Sequence, residues 1–187
     1  MRKMIALGLL LGAFGLAGQG LWLQGKAILA QWLIAHAWEQ QLASGQPVKP
    51  WAWADTWPVA RLSGPNGEVS YVLSGVSGQA LAFGPGQLDN GVQPGDLGTL
   101  LLAGHQDSHF AFLQRLKDGE QLRVQAADGQ EYVYRIASQR VVDSRYEQIA
   151  LQHSHAELQL VTCFPFAALT SGGPMRYVVS AWLEPTG

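Results

Sequence analysis

Three side chains of complementary chemistry, Cys163, His105 and Arg176, each lie at the edge of a predicted strand. A cysteine becomes a useful nucleophile when a neighbouring imidazole accepts its proton or an electropositive setting lowers its pKa. A guanidinium can then donate hydrogen bonds to the oxyanion of a tetrahedral intermediate. These residue types suffice for acyl transfer through a thioester. Their spacing alone does not single out this reaction, because any β domain contains a histidine and an arginine.

The strand that carries Cys163 is predicted over residues 158–163. Successive side chains of a strand point to opposite faces, so Gln159 shares the face of Cys163 and Thr162 lies on the other face. Pro165 ends the strand because proline has no amide proton for the ladder. A thiol at the end of a strand is held on a rigid element yet can meet a substrate. The alternative is a buried cysteine that packs as a small hydrophobe.

The other positioning elements are also predicted to be short strands. His105 follows a buried apolar run, and Arg176 begins a strand with an alternating pattern. Asp107 or Ser108 is expected to cap a short helix over residues 109–116. About seven or eight strands with little helix indicate an all-β barrel or sandwich. Besides the Cys163 strand, strands are predicted at 59–62, 69–73, 99–103, 121–126, 130–142 and 176–183.

Composition and the remaining titratable residues exclude several classes of function. The net charge of −2, without a basic stripe, argues against nucleic acid as a partner. The one cysteine can form neither an intrachain disulfide nor a cysteine zinc cluster. His153 and His155 have a metal-like spacing without a third ligand, so a solvated loop and no metal site are predicted there. His109 is expected to pack or to face solvent rather than to act as a second base.

The N-terminal segment is predicted to be a membrane anchor over residues 1–25. Met4 to Leu23 contains no charged residue, and twenty helical residues span about 30 Å, the thickness of a bilayer core. Arg2 and Lys3 are expected to stay on the cytoplasmic side, which places the rest of the chain outside. The rival interpretation is a signal peptide that is cleaved at a small-x-small site. We favour the uncleaved anchor because such sites fall inside the apolar run or far beyond it.

A juxtamembrane helix and a linker rich in proline and tryptophan are predicted over residues 26–56, followed by the catalytic barrel at 57–187. The helix contains Trp32 and Trp38, which suit either a membrane interface or a helix docked on the domain. The sequence leaves both alternatives open. Prolines make the linker stiff and extended.

The segments 81–86, 101–110 around His105, the Asp128-Gly129 hairpin, 160–163 and 176–179 resemble motifs of sortases, and they follow the order His, Cys, Arg of that family. The similarity covers roughly residues 50–184. A papain-like enzyme has its cysteine before its histidine, and no Gly-x-Ser-x-Gly unit leads into a helix here. Gln159 departs from the family motif Thr-Leu-x-Thr-Cys, where a threonine is usual. The segment 51–58 is similar to the entry segment of the Gram-negative class GN of this family.

The resemblance implies a membrane-anchored cysteine transpeptidase with an eight-stranded β-barrel and short helices. It implies that Cys163 attacks a backbone carbonyl in a sorting signal of the Leu-Pro-x-Thr-Gly kind, and that His105 acts as general acid and base. Arg176 would hold the substrate and the oxyanion, and Thr162 and Gln159 would add substrate contacts. An amine or water would resolve the thioester. The family needs no metal or organic cofactor.

The resemblance also implies partners and a location. The substrate would be a secreted protein with a C-terminal sorting signal, and class GN members are associated with a partner that carries a von Willebrand factor type A domain. The chain is expected to cross the inner membrane once, with its catalytic domain on the periplasmic side. A catalytically inactive sortase-like domain that acts as a binding or assembly module at the cell envelope is the competing hypothesis.

Overall fold

The computed structural model describes residues 2–167 and 172–185, without the side chains of residues 2–15, 17 and 21. Two α-helices and one 3₁₀ helix are present in these ranges: α1 Arg2–Ser44, α2 Gly78–Phe83 and the 3₁₀ helix Ala111–Arg115. The strands are β1 Pro58–Ser63, β2 Val69–Ser74, β3 Gly86–Gln87, β4 Gly98–Ala103, β5 Gln121–Ala126, β6 Glu131–Asp143, β7 Ala156–Cys163 and β8 Met175–Leu183.

The strands close into a barrel in the order β1-β2-β3-β4-β7-β8-β6-β5, with β5 hydrogen-bonded to β1. Two neighbouring pairs, β2 with β3 and β4 with β7, are parallel, and the others are antiparallel. The predicted all-β, eight-stranded barrel is therefore confirmed. Because β4 and β7 run in the same direction, the residues that follow them meet at the same end of the barrel.

Strand β7 is buried on both faces, and each face contacts a different cluster. Leu158 and Leu160 point into the barrel and belong to the main core. On the outer face, Val161 packs with Val142 and Val178 in a smaller apolar cluster. The alternation predicted for this strand is thus confirmed, and the outer face carries Cys163 just above the smaller cluster.

The C-terminal part of α1 is docked on the barrel. Ile34 is buried against Leu73 of β2, and the Gln31 side-chain amide donates a hydrogen bond to the Phe83 carbonyl at 2.6 Å. Trp38 is buried, whereas Trp32 is exposed. Of the two alternatives left open by the sequence, the docked helix is correct for Trp38.

The predicted anchor at 1–25 is helical from Arg2 onward, but most of its side chains lie outside the described residues. Within the part of the chain that the structure does describe, no helical stretch combines the length and the apolar character that crossing a membrane requires. The anchor therefore stays a prediction.

Two local elements differ from the sequence prediction. Strand β3 is absent from the predicted strands. It pairs with β4, and a Cβ on Gly86 would lie 2.2 Å from the Gly75 carbonyl oxygen, so only glycine fits. The helix expected over 109–116 is the shorter 3₁₀ helix, and neither Asp107 nor Ser108 caps it. The Phe110 N–H donates to the His105 carbonyl at 3.0 Å instead, and this turn draws the Phe110 ring into the core.

Candidate active site at the end of β7

Cys163 and Arg176 lie directly opposite each other in the β7–β8 ladder. The Phe164 N–H donates to the Met175 carbonyl at 3.1 Å, which makes Phe164–Met175 a hydrogen-bonded pair. Such pairs alternate with non-hydrogen-bonded ones, so Cys163–Arg176 is of the closer kind, with Cα atoms about 4.5 Å apart. The thiol is free and partly exposed. The nucleophile and the cation predicted from the sequence thus share one rung and one face.

His105 is brought to the same end through Gly104. The Gly104 N–H donates to the Val161 carbonyl at 3.1 Å, and the Thr162 hydroxyl donates to the Gly104 carbonyl at 2.6 Å. The residue before His105 is therefore fastened to the residue before Cys163, on strands about 4.8 Å apart. The His105 side chain is exposed. Among the described residues its imidazole is not hydrogen-bonded to the thiol, which is common before substrate binds.

One nitrogen of the Arg176 guanidinium is held by backbone carbonyls of the residues that precede it. Its Nη1 donates to the carbonyls of Gly173 at 2.5 Å and Met175 at 2.9 Å. The Nε and Nη2 groups donate to no partner within the described ranges. One edge of the planar group is thus fixed, and the other retains donors for an oxyanion.

The side chains of Thr162 and Gln159 are buried and form hydrogen bonds within the protein. Thr162 is 2% exposed, and its hydroxyl makes the bond to the carbonyl of Gly104. Gln159 is 5% exposed, and its side-chain amide donates to Glu157 Oε1 at 3.0 Å. The substrate contacts predicted for both stay predictions.

The other histidines occupy different settings. Burial, and secondly the charge of His105, lower the pKa of half-buried His109. His105 therefore has a neutral imidazole nearby at neutral pH. His153 and His155 are exposed and precede β7, at the end of the barrel away from Cys163. Among the described residues, no cluster of three or more His, Cys, Asp or Glu side chains could hold a metal ion.

Two features of the site were missed in the sequence. The bond from Thr162 to Gly104 requires the parallel pairing of β4 with β7, which no local pattern reveals. Three aromatic rings also pack together where β7 ends, on the face that meets the main core: the Phe164 and Phe166 rings pack around Tyr177, with centroid distances of 6.2 and 5.1 Å. The Phe-Pro-Phe sequence after the cysteine was a signal for this cluster.

The strands form a closed barrel, and neighbouring strands carry a free thiol, an imidazole and a guanidinium. The molecule is therefore a β-barrel protein with a candidate cysteine-dependent active site. The sortase domain model matches residues 65–184, and the chain belongs to the sortase family. Sortases are cysteine transpeptidases.

Individual relatives agree with this assignment. The chain is 33% identical over 109 residues to Sortase D of Bacillus subtilis (strain 168), a match that covers 58% of this chain and 54% of that protein. The chain thus spans about half the length of that curated relative.

Two solved structures show the same fold. The Clostridium perfringens Sortase D5 transpeptidase has a TM-score of 0.62 at 18% identity and covers 79% of this chain and 88% of its own. Sortase A from Corynebacterium diphtheriae has a TM-score of 0.62 at 21% identity, over 72% of this chain and 64% of its own.

Proposed function

We propose that this protein cleaves a C-terminal sorting signal of the Leu-Pro-x-Thr-Gly kind in a secreted partner, and passes the acyl group to an amine or to water. The observation that carries the proposal is the shared rung of Cys163 and Arg176, with His105 fastened to the neighbouring strand end through Gly104. The similarity to a named transpeptidase supports the same activity.

In the first half-reaction the Cys163 thiolate attacks the scissile carbonyl carbon and forms a C–S bond. The carbonyl oxygen becomes an oxyanion, which accepts hydrogen bonds from the Nε and Nη2 groups of Arg176. When the intermediate collapses, the C–N bond breaks and protonated His105 gives its proton to the leaving amine. A thioester on Cys163 and a neutral imidazole remain.

The second half-reaction reverses these roles. His105 accepts a proton from the incoming amine or water as this nucleophile attacks the thioester carbonyl. Arg176 again stabilises the oxyanion, and the C–S bond breaks to return the thiolate. One proton enters and one leaves at His105 in each cycle, so the pair ends as it began.

The proposal extends to location and partner. The uncharged run behind Arg2 and Lys3 supports a single inner-membrane anchor, with the barrel on the periplasmic side. The segment 51–58 supports class GN, and with it a partner that carries a von Willebrand factor type A domain and a C-terminal sorting signal. These assignments rest on the sequence.

The test is peptide turnover by the full chain in detergent. A panel of sorting-signal peptides is incubated with an amine acceptor, and products are identified by mass spectrometry. We expect cleavage at one peptide bond and an amide product with the acceptor, both absent in Cys163→Ala. If no peptide is cleaved but wild type and Cys163→Ala bind one equally tightly, the protein is a binding module rather than an enzyme.

A further inference from the structure

The connection between β6 and β7, residues 144–155, crosses the outer face that carries Cys163; we call it the β6–β7 loop. It begins near Arg176, because the N–H and the hydroxyl of Ser144 donate to the Pro174 carbonyl at 3.0 and 2.7 Å. In its middle, Ile149 packs on the small outer cluster that contains Val161. The loop thus covers the strand face just below the thiol.

A buried chain of hydrogen bonds holds the far end of this loop. The Gln152 N–H donates to Thr99 Oγ1 at 3.0 Å, and the Thr99 hydroxyl donates to Glu157 Oε2 at 2.9 Å. The Gln159 amide donates to the other oxygen, Glu157 Oε1, at 3.0 Å. The side chain of Thr99 is both acceptor for the loop and donor to the strand.

This chain of hydrogen bonds buries polar side chains at a place where apolar side chains would cost less free energy of desolvation. Thr99, Glu157 and Gln159 are 1%, 7% and 5% exposed, and Glu157 forms no ion pair with any described residue. A buried carboxylate lowers stability unless hydrogen bonds compensate for its lost hydration. The two bonds it accepts fix its orientation, and through Thr99 they fix the loop. This arrangement favours positioning over simple packing.

We propose that Thr99, Glu157 and Gln159 are positioning residues that clamp the β6–β7 loop beside Cys163. The inference rests on the proposed function. Ile149 packs on the cluster of Val161, which lies two residues, or about 7 Å of strand, from Cys163. A peptide extends about 3.3 Å per residue, so two to three residues upstream of the scissile bond span the same length. The clamp therefore sets the affinity for these upstream residues, while bond making at Cys163 is independent of it. Gln159 acts through the loop and not by touching the substrate.

Thr99→Val and Thr99→Ser form the matched test. Valine keeps the shape of threonine but removes the hydroxyl that both accepts from Gln152 and donates to Glu157, whereas serine keeps it. We expect KM for the sorting peptide to rise about fivefold in Thr99→Val, the effect of about one net hydrogen bond, with kcat within about twofold of wild type. Thr99→Ser is expected to stay within about twofold in both constants. Equal KM values in the two variants would overturn the proposal.

Two readouts separate this inference from the proposed function, because neither needs turnover. Hydrogen exchange of residues 149–152 is expected to be faster in Thr99→Val than in Thr99→Ser, and alkylation of Cys163 by iodoacetamide is expected to be unchanged. Unchanged exchange would contradict the clamp even if no peptide is cleaved. A parallel fall in alkylation would show general damage to the site and also overturn it. If Thr99→Val does not fold, Gln159→Met removes the amide that donates to Glu157 and, at 3.5 Å, to the Ala150 carbonyl of the loop, and it is expected to raise KM about twofold.

Discussion

The two ends of the barrel are built from the same strands but differ in chemistry. Cys163 and Arg176 form one rung of the β7–β8 ladder, and Glu157 and Trp182 form another rung near the opposite end. That opposite end has a cavity of about 790 Å³ lined by residues that include Trp182, a side chain that is 56% exposed. Cys163 does not line this cavity. A large apolar cavity is the usual first choice for an active site, but the described residues that line this one include no cysteine and no arginine.

The difference lies in how each end holds its polar groups. At the Cys163 end, the Thr162–Gly104 bond and the ladder hold the backbone of the three predicted site residues at strand ends. At the other end, the His155 ring packs edge-on against Trp182 at 5.5 Å and its Nδ1 is bonded to Ser154. The His155 imidazole thus has a serine hydroxyl beside it but neither a thiol nor a guanidinium among the described residues bonded to it. The two ends therefore give two different expectations for the site, one from strand ends that meet at a parallel pair and one from cavity volume, and the experiments below distinguish them.

The largest expected effect follows from replacing the nucleophile. Cys163→Ala removes the only thiol, so peptide turnover is expected to fall by at least about a thousandfold. Trp182→Ala, the matched change at the opposite end, is expected to leave kcat/KM within about threefold, because it is remote from the reacting bond. Steady-state cleavage of the sorting peptide measures both. Comparable losses in the two variants would remove the distinction between the ends.

Replacing the base is expected to have the next largest effect. His105→Gln keeps a polar side chain but cannot transfer a proton, so kcat is expected to fall about a hundredfold to ten-thousandfold. His155→Gln changes the same residue type at the other end and should leave kcat unaltered. If both variants keep normal turnover, the acid–base role of His105 is wrong.

Arg176→Lys tests the planar donor set. An ammonium keeps the charge but cannot hold the backbone and reach an oxyanion at once, so a loss of about a hundredfold in kcat is expected. Arg135→Lys is the control, because Arg135 pairs with Glu184 at the opposite end. Near-normal kcat in Arg176→Lys would contradict the oxyanion role.

Thr162→Val and Thr56→Val compare two buried hydroxyls, one next to Cys163 in the chain and one that joins the linker to β2. The Thr162 hydroxyl donates to the Gly104 carbonyl, and that of Thr56 donates to the Ser74 carbonyl at 2.8 Å. Each change is expected to lower the free energy of unfolding by about 1 kcal/mol, measured by urea denaturation. Only Thr162→Val is expected to lower kcat as well, since it frees the residue before His105. A kcat loss shared by both would mean that stability, not positioning, is responsible.

The smallest expected effect concerns acid stability. The folded-state pKa of His109 lies below its ordinary value of 6.5, so the unfolded chain binds the proton first. Stability is therefore full above about pH 6.5 and falls as the pH decreases below it. His109→Gln is expected to reduce the drop in Tm between about pH 7.5 and about pH 5.5, whereas His153→Gln is not. An unchanged drop in His109→Gln would contradict this assignment.

The sequence predicted most of the strands and three candidate site residues, because alternation and turns are local signals. It did not predict β3, whose two residues pair only because Gly86 allows close approach to Gly75. The expected cap at Asp107 or Ser108 was wrong, because burial of Phe110 in the core determines how that turn closes. The register between strands that are distant in the sequence is likewise set by non-local contacts, so the sequence pattern does not predict it.

For the site, the sequence placed Gln159 on the face of Cys163, and the structure agrees. It did not reveal that Gln159 is buried under a loop and bonded to Glu157. Such contacts depend on which loop covers the face, and that follows from barrel closure rather than from a motif. The roles of Cys163, His105 and Arg176 stay predictions that the experiments above decide.

The most direct measurement is the location of the acyl group in the intermediate. The full chain is mixed with a cleavable sorting peptide without amine, quenched in acid, and mapped by mass spectrometry. The account predicts one thioester, on the peptide that contains Cys163, which disappears when an amine acceptor is added before the quench. Cleavage without any adduct at Cys163, or an adduct on another residue, would contradict it.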